Sequence, residues 1–169
     1  MNLKRNLIFF TAVLCLSTGV KAQQLHKAQA NYIYNFTRFI EWPNMAQRTE
    51  FVIGILGKNH PVTAELNATA SQRSVGSATV KIVEFQSADQ VDNCQVLFVP
   101  DSKSANLKNI HAKFGSQPVL VLTEEQDWNP AESSINFLVV DSKLAFHVNP
   151  QNLKAKQLKV SDKLIAMSK

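Results

Sequence analysis

The sequence predicts a single α/β domain: a mostly parallel sheet flanked by helices and ending in an antiparallel hairpin. Three observations predict it. Four short apolar runs, Phe51–Leu56, Thr79–Phe85, Gln95–Val99 and Pro118–Leu122, are rich in β-branched residues and mostly bounded by Gly, Pro, Asn or Asp, as strands are. Near-continuous apolar strands that alternate with helical segments imply a parallel sheet covered on both faces. The last two strand-like runs, Ser134–Val140 and Lys143–Val148, are separated only by Asp141 and Ser142. That gap is too short for a parallel crossover, so they must pair as a hairpin.

Taken in order, residues 1–22 read as a secretory leader. Lys4 and Arg5 form a positive start, Leu7 to Leu16 an apolar stretch, and Val20-Lys21-Ala22 a small-residue cleavage site. Export with cleavage near Ala22 is expected, leaving a domain over residues 23–169. The apolar stretch is too short to span a bilayer, which takes about 20 apolar residues, and no integral membrane segment is expected in the mature chain. Cys15 follows Leu14 rather than the small residue that lipidation signals favour, so no lipid anchor is expected.

From Leu25 the apolar positions 25, 28, 32, 36 and 39 fall on one helical face, with Ile33 and Ile40 flanking, while Lys27, Asn31, Asn35 and Arg38 take the other. Pro43 disfavours helical geometry at Trp42, so this helix is expected to stop near Glu41 with Trp42 on a bend. His60–Ala70 and Ser102–Phe114 read as helices, the first with Asn59 as N-cap and Pro61 in its first turn. After the hairpin, Asn149-Pro150 opens another helix, and Ser161 caps a last short one with Asp162 complementing its positive end.

Length and charge set bounds. The 169 residues less a 22-residue leader leave 147, enough for one core and cramped for two. Without Lys4, Arg5 and Lys21 the formal charge falls from +5 to +2, no footprint for nucleic acid, which needs a clustered basic face. The one dense basic segment, Lys154, Lys156, Lys159 and Lys163, is interleaved with Leu153, Leu158, Val160 and Leu164. It reads as a solvated helix face or a docking surface. Cys94 alone remains after the leader, so no intramolecular disulfide is expected, and it opens an apolar run as a half-buried structural thiol.

No catalytic constellation emerges from spacing. His26, His60, His111 and His147 form no H-x-H or H-E-x-x-H pattern and no Cys pairing, so neither metal nor cofactor is expected. Gly54-Ile55-Leu56-Gly57-Lys58 follows a strand and precedes a helix but lacks phosphate-loop spacing; it reads as a tight strand-to-helix turn. Glu124, Glu125 and Asp127 crowd one loop and read as solvent-facing helix-start residues.

The blocks NYIYNFTRFIEWP, LGKNHP, NCQVLFVP, QPVLVLT, INFLVVDSKLAFHVN and LKVSDKLIAM, in that order behind a leader, resemble the YfiR family. The family is named for a periplasmic repressor of the membrane-bound diguanylate cyclase YfiN. Its signature falls here on Tyr34, Phe36, Phe39, Trp42 and Pro43, on Cys94, and on Phe146, Asn149, Leu158, Ser161, Leu164 and Ile165. Gln157 stands where the family usually has Gly, Asp162 where it has Ser, and Ser133-Ser134 where it often has Gly-Gly; a left-handed turn at Gln157 would favour Gly. The resemblance implies a non-enzymatic regulator, homodimeric, that binds and represses the periplasmic domain of an inner-membrane signalling protein in cyclic-di-GMP control. Arg38, Glu41, Trp42, Leu158, Lys159, Lys163, Leu164 and Ile165, at the ends of the first and last helices, are the candidate partner-binding residues. The rival reading is a small-ligand module using the crevice at the strand ends near Gly57 and Pro100.

Overall fold

The computed structural model describes residues 23–124 and 130–169. The leader, Glu125 and Asp127 lie outside the described residues. Helix α1 (23–36) leads into β1 (Ile40–Glu41), followed by β2 (Glu50–Leu56), α2 (Pro61–Ala70), β3 (Ser74–Val75), β4 (Ala78–Phe85), β5 (Val96–Val99), α3 (Leu107–Phe114) and β6 (Leu120–Thr123). The chain closes with β7 (Ile135–Val140), β8 (Lys143–Val148), α4 (Pro150–Ala155), β9 (Lys159–Val160) and α5 (Asp162–Ala166).

Seven strands form one sheet in the order β3-β4-β2-β5-β6-β7-β8, parallel from β4 through β7, with β3 and β8 antiparallel at the edges. The expected α/β class and the hairpin are thus observed. Asp141 and Ser142 both take left-handed backbone (φ 50° and 61°), the geometry a two-residue hairpin turn needs to match strand twist.

Alternation along the buried strands divides the core. Ile53, Ile55, Val96, Phe98, Leu120 and Leu122 face one side with Ile33 and Phe36 of α1 and Val62 and Leu66 of α2. Leu97, Val99 and Val121 face the other, against Leu107, Ile110 and Phe114 of α3. With α2 between β2 and β4 on one face and α3 between β5 and β6 on the other, the winding reverses between β2 and β5, leaving a crevice at their C-terminal ends. Gly54 sits where a Cβ would meet the Phe85 ring at 2.6 Å, so the ring lies over β2 in this position because the residue is glycine. Gly57, at φ 113°, makes the expected tight turn out of β2.

Three local expectations are corrected. Helix α1 ends five residues before Glu41: the Thr37 hydroxyl donates to the Tyr34 carbonyl at 2.7 Å, residues 37–39 turn, and Ile40 and Glu41 pair with Val160 and Lys159 of β9. Proline sets only an outer limit, and a β-ladder contact wins inside it. The N-cap of α2 is His60, whose Nδ1 accepts from the Val62 N–H at 3.3 Å; Asn59 instead takes the left-handed turn at φ 56°. The segment before α3, Asp101–Asn106, is 3-10 rather than α-helical. Asn149 and Ser161 cap α4 and α5 through their side chains.

The exit from α4 shows what replaces the family's glycine. The Leu158 N–H donates to the Leu153 carbonyl and the Gln157 N–H to that of Lys154, the paired bonds of a Schellman ending with Leu153 and Leu158 buried beneath it. Gln157 takes the left-handed position itself, at φ 56°. Ser133 and Ser134, buried where the family often has Gly-Gly, spend their hydroxyls on Thr123 and the Ile135 carbonyl, and on Asn152 and the Val121 N–H.

Candidate functional site

The two ends of the domain meet. The β1–β9 ladder sets Glu41 opposite Lys159, and the Ser161 N–H donates to the Phe39 carbonyl at 2.9 Å. This joins the end of α1 to the start of α5 and opens a cleft of about 290 Å³ between them. Its floor is aromatic: Phe36 and Phe146 stack edge to face at 5.0 Å, Tyr32 lies 5.5 Å from Phe146, and Leu164 closes the base. Arg38, Asn35 and Lys163 form the rim, with the Lys163 ammonium 5.7 Å from the centre of the Phe39 ring, within cation–π range. Ile165 and Met167, exposed at 37% and 46%, stand on the same short helix and its end.

The sequence candidates therefore fall into two groups. Arg38, Glu41, Lys159, Lys163 and Ile165 are exposed, and of these Arg38 and Lys163 line the cleft. Trp42, Leu158 and Leu164 are core residues, at 5%, 4% and 1% exposure. Leu164 still contributes the cleft floor; Trp42 points into the sheet, its Nε1 donating to the Gln95 carbonyl at 3.1 Å. Glu41 and Lys159 stand 4.0 Å apart with both side chains largely in solvent, an ion pair worth little energetically. Tyr32, Asn35 and Met167 complete the cleft although sequence reasoning passed over them. Tyr32 was legible as an apolar-face position of α1, whereas Met167 lies beyond any periodic signal.

A second cluster lies at the crevice of the parallel strands. His26 comes from α1, His60 from the turn after β2 and Glu124 from the end of β6, and one donor atom of each lies within 4.8 Å of the others. His60 Nε2 is 3.4 Å from Glu124 Oε2. The amide of Gln29, fully buried, bridges the rest: its Oε1 lies 3.0 Å from His26 Nδ1 and its Nε2 donates to Glu124 Oε1 at 3.0 Å. Burial pushes the Glu124 carboxyl up, but hydrogen bonds from His60 and Gln29, the charge of His60 and the Asp101 N–H outweigh it and hold the group below the usual carboxylate value. Glu124 is thus not the solvent-facing loop residue its sequence context suggests. No short spacing announces this cluster, because its members meet only through the sheet order.

A family profile described as YfiR/HmsC-like matches residues 26–169. The chain belongs to the YfiR/HmsC-like family. The match runs from the first turns of α1 to the last residue, so both the cleft and the strand-end cluster lie within it. The family is named for a periplasmic regulator of cyclic-di-GMP signalling. Comparison with curated proteins gives no match. Among the described residues no helix is long and apolar enough to cross a membrane. The signature positions of this YfiR-like chain are mostly structural: Tyr34 donates to the Leu66 carbonyl at 2.7 Å, Asn149 and Ser161 are caps, and Phe36, Phe146, Leu158 and Leu164 share one core.

Proposed function

We propose that this protein is a non-enzymatic regulator that acts as a homodimer, binds the periplasmic sensor domain of a membrane diguanylate cyclase and holds it inactive through the α1–α5 cleft. The observation that carries the reading is the β1–β9 ladder, which brings the two most family-specific blocks of the sequence to one surface. An aromatic floor edged by exposed Met167, with exposed Ile165 on the same short helix, offers the apolar anchors of a hot spot. Arg38 and Lys163 put two positive charges on its rim, while Lys159 beside it is paired with Glu41, so the complementary partner surface carries acidic groups. Repression requires tighter binding to the inactive than to the active sensor, since equal affinity shifts nothing.

The test is crosslinking from periplasm and inner membrane to identify the cyclase, followed by binding with the purified partner. Ile165→Glu and Met167→Glu should keep the wild-type melting temperature and weaken binding by about 2 kcal/mol or more. Lys163→Glu should act on association rate and its salt dependence. Wild-type binding and repression by all three folded variants would move the docking surface elsewhere.

A ligand module remains a second reading because the strand-end crevice holds His26, His60 and Glu124, half-buried polar groups where α/β sheets bind ligands. A small molecule that raises the melting temperature without any protein partner would favour it.

A further inference from the structure

We propose that His26, His60 and Glu124 bind one divalent transition-metal ion of the zinc type. Two imidazoles and one carboxylate suit zinc, copper or nickel, whereas magnesium and calcium take oxygen ligands. The 3.4 Å between His60 Nε2 and Glu124 Oε2 is close to the edge of a tetrahedron about a zinc ion with bonds of about 2.0–2.1 Å. The third donor, from His26 in the first turn of α1, lies within 4.8 Å of both and would have to swing inward to complete the sphere.

The surroundings are those of a prepared site. Metal-binding histidines and carboxylates are oriented by neighbours that occupy their remaining polar atoms. Gln29 does this for two ligands at once: its Oε1 takes His26 Nδ1, leaving Nε2 for the ion, and its Nε2 fixes the far oxygen of Glu124. A fully buried amide on a helix is costly unless both ends are used, and here both are used on donors of the cluster. Phe98, its ring 5.4 Å from that of His60, walls the inner side, and the His60 and Glu124 side chains keep 16% and 12% exposure, so an ion has an entry path. There is one cost. The Val62 N–H donates to His60 Nδ1, so the neutral ring carries its proton on Nε2 toward Glu124. An ion at Nε2 requires the other tautomer: the single ring proton moves through solvent to Nδ1, none is lost from the ring, and the long 3.3 Å cap bond is given up.

Among the described residues the cluster offers three protein ligands, the number that goes with an exchangeable site rather than a closed structural one. The ion would tie α1 to the α2 N-terminus and the end of β6. This inference stands apart from the partner reading, since it concerns the opposite end of α1 and needs no second protein.

The experiment is calorimetric titration of the tag-free, exported protein with zinc chloride, with cobalt(II) chloride read in the visible and magnesium chloride as control. One equivalent of zinc should bind with a Kd of about 10 µM or tighter, with a raised melting temperature and ligand-field bands for cobalt; magnesium should give neither. His26→Gln, His60→Asn and Glu124→Gln should each weaken zinc binding at least about tenfold, while His147→Gln leaves it unchanged. Asparagine is a preferred N-cap and glutamine preserves an acceptor at Glu124, so these variants retain the local structure; should one lose its fold by circular dichroism, the remaining two decide. Absence of stoichiometric zinc binding at about 100 µM, or equal affinity in wild type and the folded variants, would overturn the proposal.

Discussion

Trp42 and Gln95 lock the leading segment to the sheet. The indole Nε1 donates to the Gln95 carbonyl at 3.1 Å, a carbonyl that also accepts from the Leu120 N–H, while the Gln95 side-chain oxygen takes the Val52 N–H at 2.8 Å. The ring packs edge to face on Phe51 at 5.0 Å. The most recognisable residue of the Phe-Ile-Glu-Trp-Pro block thus fastens the chain to β2, β5 and β6. Trp42→Ala should cost about 3–5 kcal/mol, the range for removing a large buried aromatic. Trp42→Phe should cost roughly 1–2 kcal/mol, a hydrogen bond and some volume. Denaturant melts of both check this; a Trp42→Ala protein as stable as wild type would mean that the ring serves an interface instead.

Cys94 should be chemically silent. It is 3% exposed, and burial pushes its thiol up to about 12, so almost none is thiolate at neutral pH. The sequence suggested a half-buried thiol; the structure makes it a core residue between Val91 and Leu97. A disulfide reagent should leave the native protein untouched at pH 8 and label it stoichiometrically in guanidinium. Cys94→Ser should fold, with a loss of about 1–2 kcal/mol for placing a hydroxyl there. Rapid labelling of the native protein would point to a redox role.

How far the sequence carried depended on the range over which its signals act. The central strands β2, β5 and β6 were legible because each is a nearly unbroken run of buried residues, as in Val96–Val99. The caps at Asn149 and Ser161 were legible because capping is a matter of neighbouring residues. Strands β1 and β9 were not, since two residues have no period and Ile40 and Lys159 become strand only by meeting. For the same reason the candidate partner residues read as two separate patches, and nothing separated Leu164 from Ile165, adjacent residues of which one is buried and the other exposed. His26, His60 and Glu124 were individually visible and jointly invisible: only the reversal of winding between β2 and β5, with α1 laid over it, brings them together.

Gln157→Gly should stabilise the protein. A side chain at φ 56° carries strain of about 1–2 kcal/mol that glycine lacks. The extra freedom of glycine in the unfolded chain gives back about 0.5–1 kcal/mol. The net gain is expected near 0.5 kcal/mol, or a rise of about 1–2 °C in melting temperature. Because both Schellman bonds are made by backbone groups, Gln157→Ala should keep the turn without gaining stability. A destabilised Gln157→Gly variant would show that the glutamine side chain has a role of its own.

Lys156 carries a charge that the fold does not favour. The residue is 1% exposed, and its ammonium makes one long hydrogen bond, 3.3 Å to the Gly115 carbonyl at the end of α3. That helix terminus attracts a cation. Burial nevertheless dominates and holds the amine below its ordinary value of 10.5. Desolvating an ammonium costs several kcal/mol against the ~1.5–3 kcal/mol of a charged hydrogen bond, which agrees with that direction. The linkage sign follows: between the lowered folded value and 10.5 the unfolded chain binds more protons than the native one, so the contribution of Lys156 becomes more favourable as pH rises through that window. Lys156→Met, similar in length and apolar, should therefore match or exceed wild-type stability at pH 7, by ~1 kcal/mol. The advantage should shrink as both proteins are melted at successively higher pH toward 10. A wild type that is the more stable at pH 7, by a margin that does not change with pH, would mean that the Gly115 carbonyl and the helix end outweigh burial after all.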